Sequence, residues 1–326
     1  MELLQHASAP SAAAVQEEAE DAPGFKLSWE TIVVATEIAA ALGTSLLLLY
    51  RKAKSGRNTP ASSSCGSLST LATSSPITQP RGLCSLDTLL AFRLIALAFY
   101  VVVQLYDLYR TRLACLIFYT SWNFIAQGVY FGVAVARTLQ ARRLQQGSRR
   151  GYAPLLDETR STRTATGHPH HGWIRLELVL DVCLATSILI SVVVWTILYP
   201  YAVKMHDPEK ILNWVSYSQH ALNLVFLQID FLSTRHAVSR HALPLLIAWP
   251  SVYSVFTWIL HGTLAKGFWP YPFMEVNTPY APLWYAGLLG AHTIGFAIVY
   301  AISRWKTSRG DVASNCSSNE LEATEI

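Results

Sequence analysis

Ten polar side chains sit inside long apolar stretches of this chain: Glu37, Arg93, Thr120, Asn123, Gln127, Asp181, His220, Asp230, His261 and His292. An ionisable group at the centre of a bilayer costs at least about 2.5 kcal/mol on insertion scales, which makes each one a candidate for function by default. Spacing groups them. Thr120, Asn123 and Gln127 stand at i, i+3 and i+7 and so share one helix face. His220, Asn223 and Asp230 form a second stripe, with Leu227 between them. With a rise of about 1.5 Å per residue, Thr120 lies about 11 Å, His220 about 14 Å and His292 about 17 Å from the start of its stretch. A hydroxyl and two imidazoles from three helices would then meet in one layer, around a buried polar cavity. The same residue types also act as packing glue between membrane helices. His261, near a helix end, reads better as interfacial, and Arg93 and Glu37 read as paired with each other or snorkelling.

The elements that must hold these groups are long apolar blocks. Of the 326 residues 52% are hydrophobic and 14% charged, whereas soluble domains carry about 25% charged residues. A helix needs about 20 apolar residues to cross the hydrocarbon and satisfies its own backbone there. The expected fold is therefore all-α, a polytopic membrane helix bundle with about seven spans near 29–50, 87–106, 113–136, 176–198, 211–232, 243–262 and 281–303. Its expected organisation is a disordered leader (1–28), an N-terminal transmembrane helix (29–50) and a Ser/Thr-rich linker (51–86). A six-helix membrane domain (87–303) follows, interrupted by a disordered basic loop (137–175), and then a polar tail (304–326). The leader carries Glu2, Glu17, Glu18, Glu20 and Asp21, the opposite of a signal peptide's basic start. Ala286/Gly290 and Gly287/Ala291 offer close helix contact in the last span. Trp29, Tyr199, Tyr201, Trp269 and Tyr271 read as an aromatic belt.

Cytoplasmic segments collect Lys and Arg. With the N-terminus outside, the inner segments hold 18 of the 25 Lys and Arg, the outer ones 6, and Arg93 lies within a span. The expected orientation is N-terminus outside or luminal and C-terminus cytoplasmic. Five cysteines form no CxxC pair or framework. The tract His168-Pro169-His170-His171 lacks Cys or carboxylate support, so no metal and no cofactor are expected. A net charge of +4 gives no reason to expect nucleic acid as a partner.

Three ordered blocks resemble a known family. Phe118-Tyr119-Thr120-Ser121-Trp122-Asn123-Phe124-Ile125-Ala126-Gln127, ending in Phe131-Gly132, is similar to an early span of the androgen-induced and androgen-dependent (FAR-17a-like) proteins and their rolling-stone relatives. Gln219-His220 through Asp230 resembles that family's His-centred span, which ends in an acidic residue ten positions on. Trp269-Pro270-Tyr271-Pro272-Phe273-Met274-Glu275 resembles its aromatic loop. The resemblance implies a membrane-embedded hydrolase of fatty acid esters of hydroxy fatty acids, with Thr120 as nucleophile and His220 as general base. A Thr hydroxyl needs such an adjacent base, and His is the usual one. Asn123 and Asn223 would orient the His or meet a developing oxyanion, with Gln127, Asp230 and His292 as further supporting polar groups. The expected partners are a lipid or fatty-acyl ester substrate and the bilayer, in the endoplasmic reticulum or plasma membrane.

Departures from the pattern point elsewhere too. The additional N-terminal span, the long basic loop, Asn123 in place of Asp and Asn223 in place of Thr lean toward the rolling-stone side. That implies a non-enzymatic role in cell fusion or signalling. A seven-span receptor fits less well: the third span runs into Ala136-Arg137-Thr138 without an acidic-Arg-Tyr triplet, and the last span has no Asn-Pro-x-x-Tyr. Haem carriage would want paired ligands, yet His220, His261 and His292 stand singly on three spans.

Overall fold

The computed structural model describes residues 28–58, 75–82, 84–149 and 176–323. Residues 1–27 of the leader, 59–74 and 83 of the linker, and 150–175 with the His168–His171 tract lie outside the described residues. Seven long helical segments follow in order. They are α1 (Trp29–Asn58), α2 (Leu86–Thr111) and α3 (Tyr119–Arg149), then α4 (Leu176–Val193, carried through a π turn Val194–Leu198 into Tyr199–Lys204). After these come α5 (Trp214–Tyr217, a π turn Ser218–Leu222, then Asn223–Ser233), α6 (Leu243–Gly262) and α7 (Ala281–Ala323).

Five of these, α1, α2, α4, α6 and α7, are long and apolar enough to cross a membrane by length and composition. The protein is thus an all-helical membrane protein among its described residues. The helices α3 and α5 fall short of that apolarity for a simple reason. They carry the two polar stripes, and they bury them: Asn123, Gln127 and Thr138 on α3, and Asn223 and Asp230 on α5, are all buried. Only a helix shielded from lipid can afford such stripes.

Helix lengths differ from the apolar blocks where the chain leaves the hydrocarbon. The helix α3 continues past residue 136 to Arg149, so the first part of the expected basic loop is helical. Leu139, Gln140, Ala141, Arg142 and Arg143 are strong helix formers, and propensity carries the helix on once hydropathy stops. The tail behaves likewise, with α7 running to Ala323. At its other end α3 starts later than the apolar block. Arg112 (φ 49°) and Leu113 (φ 73°) turn the chain after α2, and Ala114–Ile117 forms a 3-10 turn.

The nearly all-apolar α4 is the most buried of the spans, as a helix hydrophobic on every side should be. It packs against α3, α5, α6 and α7, while α1 leans on α6 and α7. Its π turn precedes Pro200, which has no N–H to donate and whose ring crowds the preceding turn. Helices α4 and α7 meet closely at Gly295, where a Cβ would stand 2.9 Å from the Ala185 carbonyl oxygen. The expected small-residue contact at Gly287 and Gly290 is absent; a Cβ at either would meet nothing within 4 Å.

A layer of ionic pairs locks the end of the bundle opposite the α3 start. Arg93 and Asp230, both fully buried, form a bidentate pair at 2.7 and 3.0 Å. Arg93 also donates to the Thr138 hydroxyl at 2.6 Å and the Ile77 carbonyl at 3.0 Å, and the Tyr130 hydroxyl donates to Asp230. This corrects two expectations. Arg93 pairs with Asp230 rather than Glu37, whose Oε2 is buried without a hydrogen-bond partner. Asp230 serves that pair rather than a cavity shared with His220, because ten residues of helix carry it about 15 Å further along α5. Nearby, Asp181 accepts from His236 at 2.7 Å and from the Ser239 N–H at 3.0 Å. Lys306 donates to the carbonyls of Phe231 and His236. Residues 79–81 hook onto the end of α5 through Arg81 N–H to Ser233 and Arg235 N–H to Gln79, both 2.9 Å.

Removing one partner of a buried ion pair strands the other. Arg93→Met is expected to cost about 3–5 kcal/mol in thermal or denaturant unfolding of the detergent-solubilised protein. Asp230→Leu added to it should recover much of that loss; equal stability of wild type and Arg93→Met would show the pair to be incidental.

Candidate active site

Thr120 lies in the first turn of α3, not two turns in, because the segment before it is irregular. Irregular backbone at membrane depth persists only where its polar groups are satisfied by protein, and here they are. The Trp122 indole donates to the Leu116 carbonyl at 2.8 Å, and the Tyr253 hydroxyl of α6 donates to the Ile117 carbonyl at 2.8 Å. Asn123, one turn on, donates to the Tyr119 carbonyl at 2.8 Å and accepts from the Trp249 indole at 3.1 Å. Both ends of that amide are engaged, the nitrogen within α3 and the oxygen in tying α3 to α6.

Beside Thr120 opens a cavity with an empty volume of about 760 Å³, counted to its open mouth. Its long walls are apolar: Leu189, Ile190, Val193, Val194 and Leu198 from α4, Leu288 and Leu289 from α7, and Ile38 from α1. Its polar end gathers Tyr119 and Thr120, Tyr253 with Ser251 and Ser254, Tyr271, and His292. The loop after α6 supplies Tyr271, Phe273 and Met274 and is pinned from several sides. The Tyr285 hydroxyl donates to the Met274 carbonyl at 2.9 Å while accepting from the Trp258 indole at 3.0 Å. His261, in the last turn of α6, contacts the Phe268 carbonyl through Nδ1 at 3.2 Å and stacks on Trp269. Its place is to hold this loop. Burial pushes the Tyr271 phenol up to about 12, although the hydroxyl and backbone N–H of Thr120, which act on it, work the other way. It remains a protonated hydrogen-bond donor at neutral pH.

The expected site residues divide. His292 joins Thr120: Nε2 lies 2.9 Å from the Tyr119 hydroxyl, and Nδ1 lies 2.7 Å from the Leu288 carbonyl. His220 is not among the residues lining this cavity. It sits in the π turn of α5, its Nδ1 buried without a hydrogen-bond partner. Its carbonyl, freed by the π turn, accepts from Ser191 at 2.7 Å and Trp195 at 3.4 Å. Both donors belong to α4, the helix whose Ile190, Val193 and Val194 line the cavity. Gln127 accepts from the Tyr100 hydroxyl at 2.9 Å, and its Nε2 has no partner. The Asn223 side chain is turned back on the Leu224 N–H at 2.7 Å. Tyr119, Tyr253 and Tyr271 are cavity residues that sequence reasoning misses: an aromatic in an apolar stretch reads as core, and Tyr271 reads as part of an aromatic belt.

Residues 116–307 match the model of the FAR-17a/AIG1-like protein family, which covers more than half of the chain. The chain belongs to that family. The match takes in α3 to α7 with Thr120, His220, Tyr271 and His292; α1 and α2 precede it. No curated protein and no solved structure matches the chain. Among the described residues no cluster of His, Cys, Asp and Glu is arranged to hold a metal ion.

An empty apolar cavity accepts added bulk. Val193→Trp is expected to leave thermal stability nearly unchanged while sharply reducing crosslinking by a photoreactive long-chain fatty acid. Undiminished crosslinking would mean that such chains bind elsewhere.

Proposed function

We propose that this FAR-17a/AIG1-like protein is a membrane-embedded hydrolase of fatty acid esters of hydroxy fatty acids, with Thr120 as nucleophile and His220 as general base. The observation that carries this reading is the meeting of a Thr hydroxyl with a long apolar cavity in a chain of this family. An acyl chain would lie along the walls given by α4 and α7, and its ester would reach the polar end at Thr120. Attack by the Thr120 oxygen would form an acyl-enzyme and release the hydroxy acid; water would then release the fatty acid. The unpartnered Nδ1 of His220 supports its reading as a base, because no other group holds it. The distribution of Lys and Arg supports seven crossings with the N-terminus outside or luminal and the C-terminus cytoplasmic, in the endoplasmic reticulum or plasma membrane.

The competing reading is a non-enzymatic protein of the rolling-stone type, favoured by α1, a helix outside the family match that packs on α6 and α7. Purified protein in proteoliposomes separates the two. The wild type should release fatty acid from such an ester, Thr120→Ala should abolish release, and His220→Ala should lower it by about 10²–10⁴-fold. Full activity in Thr120→Ala removes the nucleophile, and an inert wild type that takes no serine/threonine-directed probe favours the fusion or signalling role.

A further inference from the structure

The imidazole that shares the cavity with Thr120 is His292, and its tautomer is fixed. A carbonyl oxygen can only accept, so the 2.7 Å contact with Leu288 means that Nδ1 carries the proton. The Nε2 lone pair then points at the Tyr119 hydroxyl, which donates to it at 2.9 Å. The Tyr119 oxygen still has acceptor capacity. Tyr119 precedes Thr120 in the first turn of α3, and both side chains line the cavity together with His292. His292 is 3% exposed, and the half-buried Tyr119 ring packs on Tyr253 and His292.

We propose that Tyr119 and His292 form a proton relay for Thr120, a second acid–base unit that works from within the cavity. The inference rests on the hydrolase reading and on Thr120 as nucleophile; for the Thr120 proton it puts Tyr119 and His292 in the place of His220, which does not line the cavity. As the Thr120 oxygen bonds to the ester carbonyl carbon, its proton passes to the Tyr119 oxygen, directly or through one water. The Tyr119 phenol proton passes to His292 Nε2. The imidazolium so formed keeps its Nδ1–H on the Leu288 carbonyl. Collapse breaks the carbon–oxygen bond to the leaving alkoxide, which takes the proton back along the same path. Water repeats the sequence on the acyl-Thr120, releasing the fatty acid and restoring the hydroxyl. Every proton returns, and no outside reagent is needed beyond water.

The test uses the full-length protein in proteoliposomes with a fatty acid ester of a hydroxy fatty acid. Tyr119→Phe keeps the ring packing and removes the hydroxyl; His292→Gln keeps a partner for Tyr119 and removes the base. Both are expected to lower kcat by about 10²-fold or more with KM unchanged. A merely structural role would not alter the number of protons in flight. Rates in mixtures of light and heavy water should therefore give a bowed curve for the wild type, from two protons moving together, and a straight line for Tyr119→Phe. Wild-type kcat and a wild-type curve in both variants overturn the relay while leaving Thr120 and the hydrolase reading in place. A wild-type protein that hydrolyses no such ester and takes no probe at Thr120 overturns both.

Discussion

A carbonyl or N–H left unpaired inside hydrocarbon costs several kcal/mol, and this fold leaves the regular helix at three places at membrane depth. The chain is irregular just before Thr120, and π turns interrupt α4 at Val194–Leu198 and α5 at Ser218–Leu222. The carbonyls freed at two of these places are met by side chains from elsewhere: Trp122 and Tyr253 at the first, Ser191 and Trp195 at the third. These donors also tie α3 to α6 and α4 to α5. All three irregular places border the cavity or the π turn that carries His220. The helix is broken where the chemistry is proposed, and the aromatic residues around it hold the breaks shut.

Polar groups in the bundle fall into two layers with different electrical character. The layer at Arg93, Asp230, Asp181, His236 and Lys306 is built on a buried ion pair and is closed and almost fully hydrogen-bonded. Its several hydrogen bonds per charge are what a buried ion needs to persist. The layer at Thr120, Tyr119, Tyr271 and His292 holds hydroxyls and an imidazole, none of them ion-paired, around empty space. A standing charge there would draw in water or demand a counter-ion, and an apolar chain could not lie beside it. Keeping the ions in one layer ties the helices together there and leaves the other layer with largely apolar walls.

Much of this was legible in the residues, and the failures have physical causes. Apolar blocks gave the starts of α1, α2, α4, α6 and α7 to within a residue or so, because the change from polar to apolar marks entry into lipid. They misplaced both ends of α3: beyond the bilayer, propensity rather than hydropathy sets helix length, and before it a 3-10 turn is as apolar as a helix. The depth argument put Thr120 and His292 in one layer, and the cavity holds both, although Thr120 reaches it from the first turn of its helix. It equally put His220 there, which does not line the cavity, since depth along a helix says nothing about the direction in which a side chain faces. The pairing of Arg93 with Asp230 spans 137 residues and that of Tyr119 with His292 spans 173. No local pattern encodes either.

The helix α1 shows how a segment outside the family match enters the site. It packs Val34 and Ile38 against Tyr253, Tyr271, Met274 and Tyr285, so one wall of the cavity comes from a helix that the matched region 116–307 does not contain. That packing covers the rings of Tyr271 and Tyr285 on the side of α1. Ile38 adds only apolar surface, so it shapes the space without adding a group that could react. The helix α1 thus shapes the cavity while Thr120, Tyr119 and His292 stay on α3 and α7. In the proposed hydrolase, selection of substrate shape and acid–base chemistry would reside on different helices, so that one could change without disturbing the other.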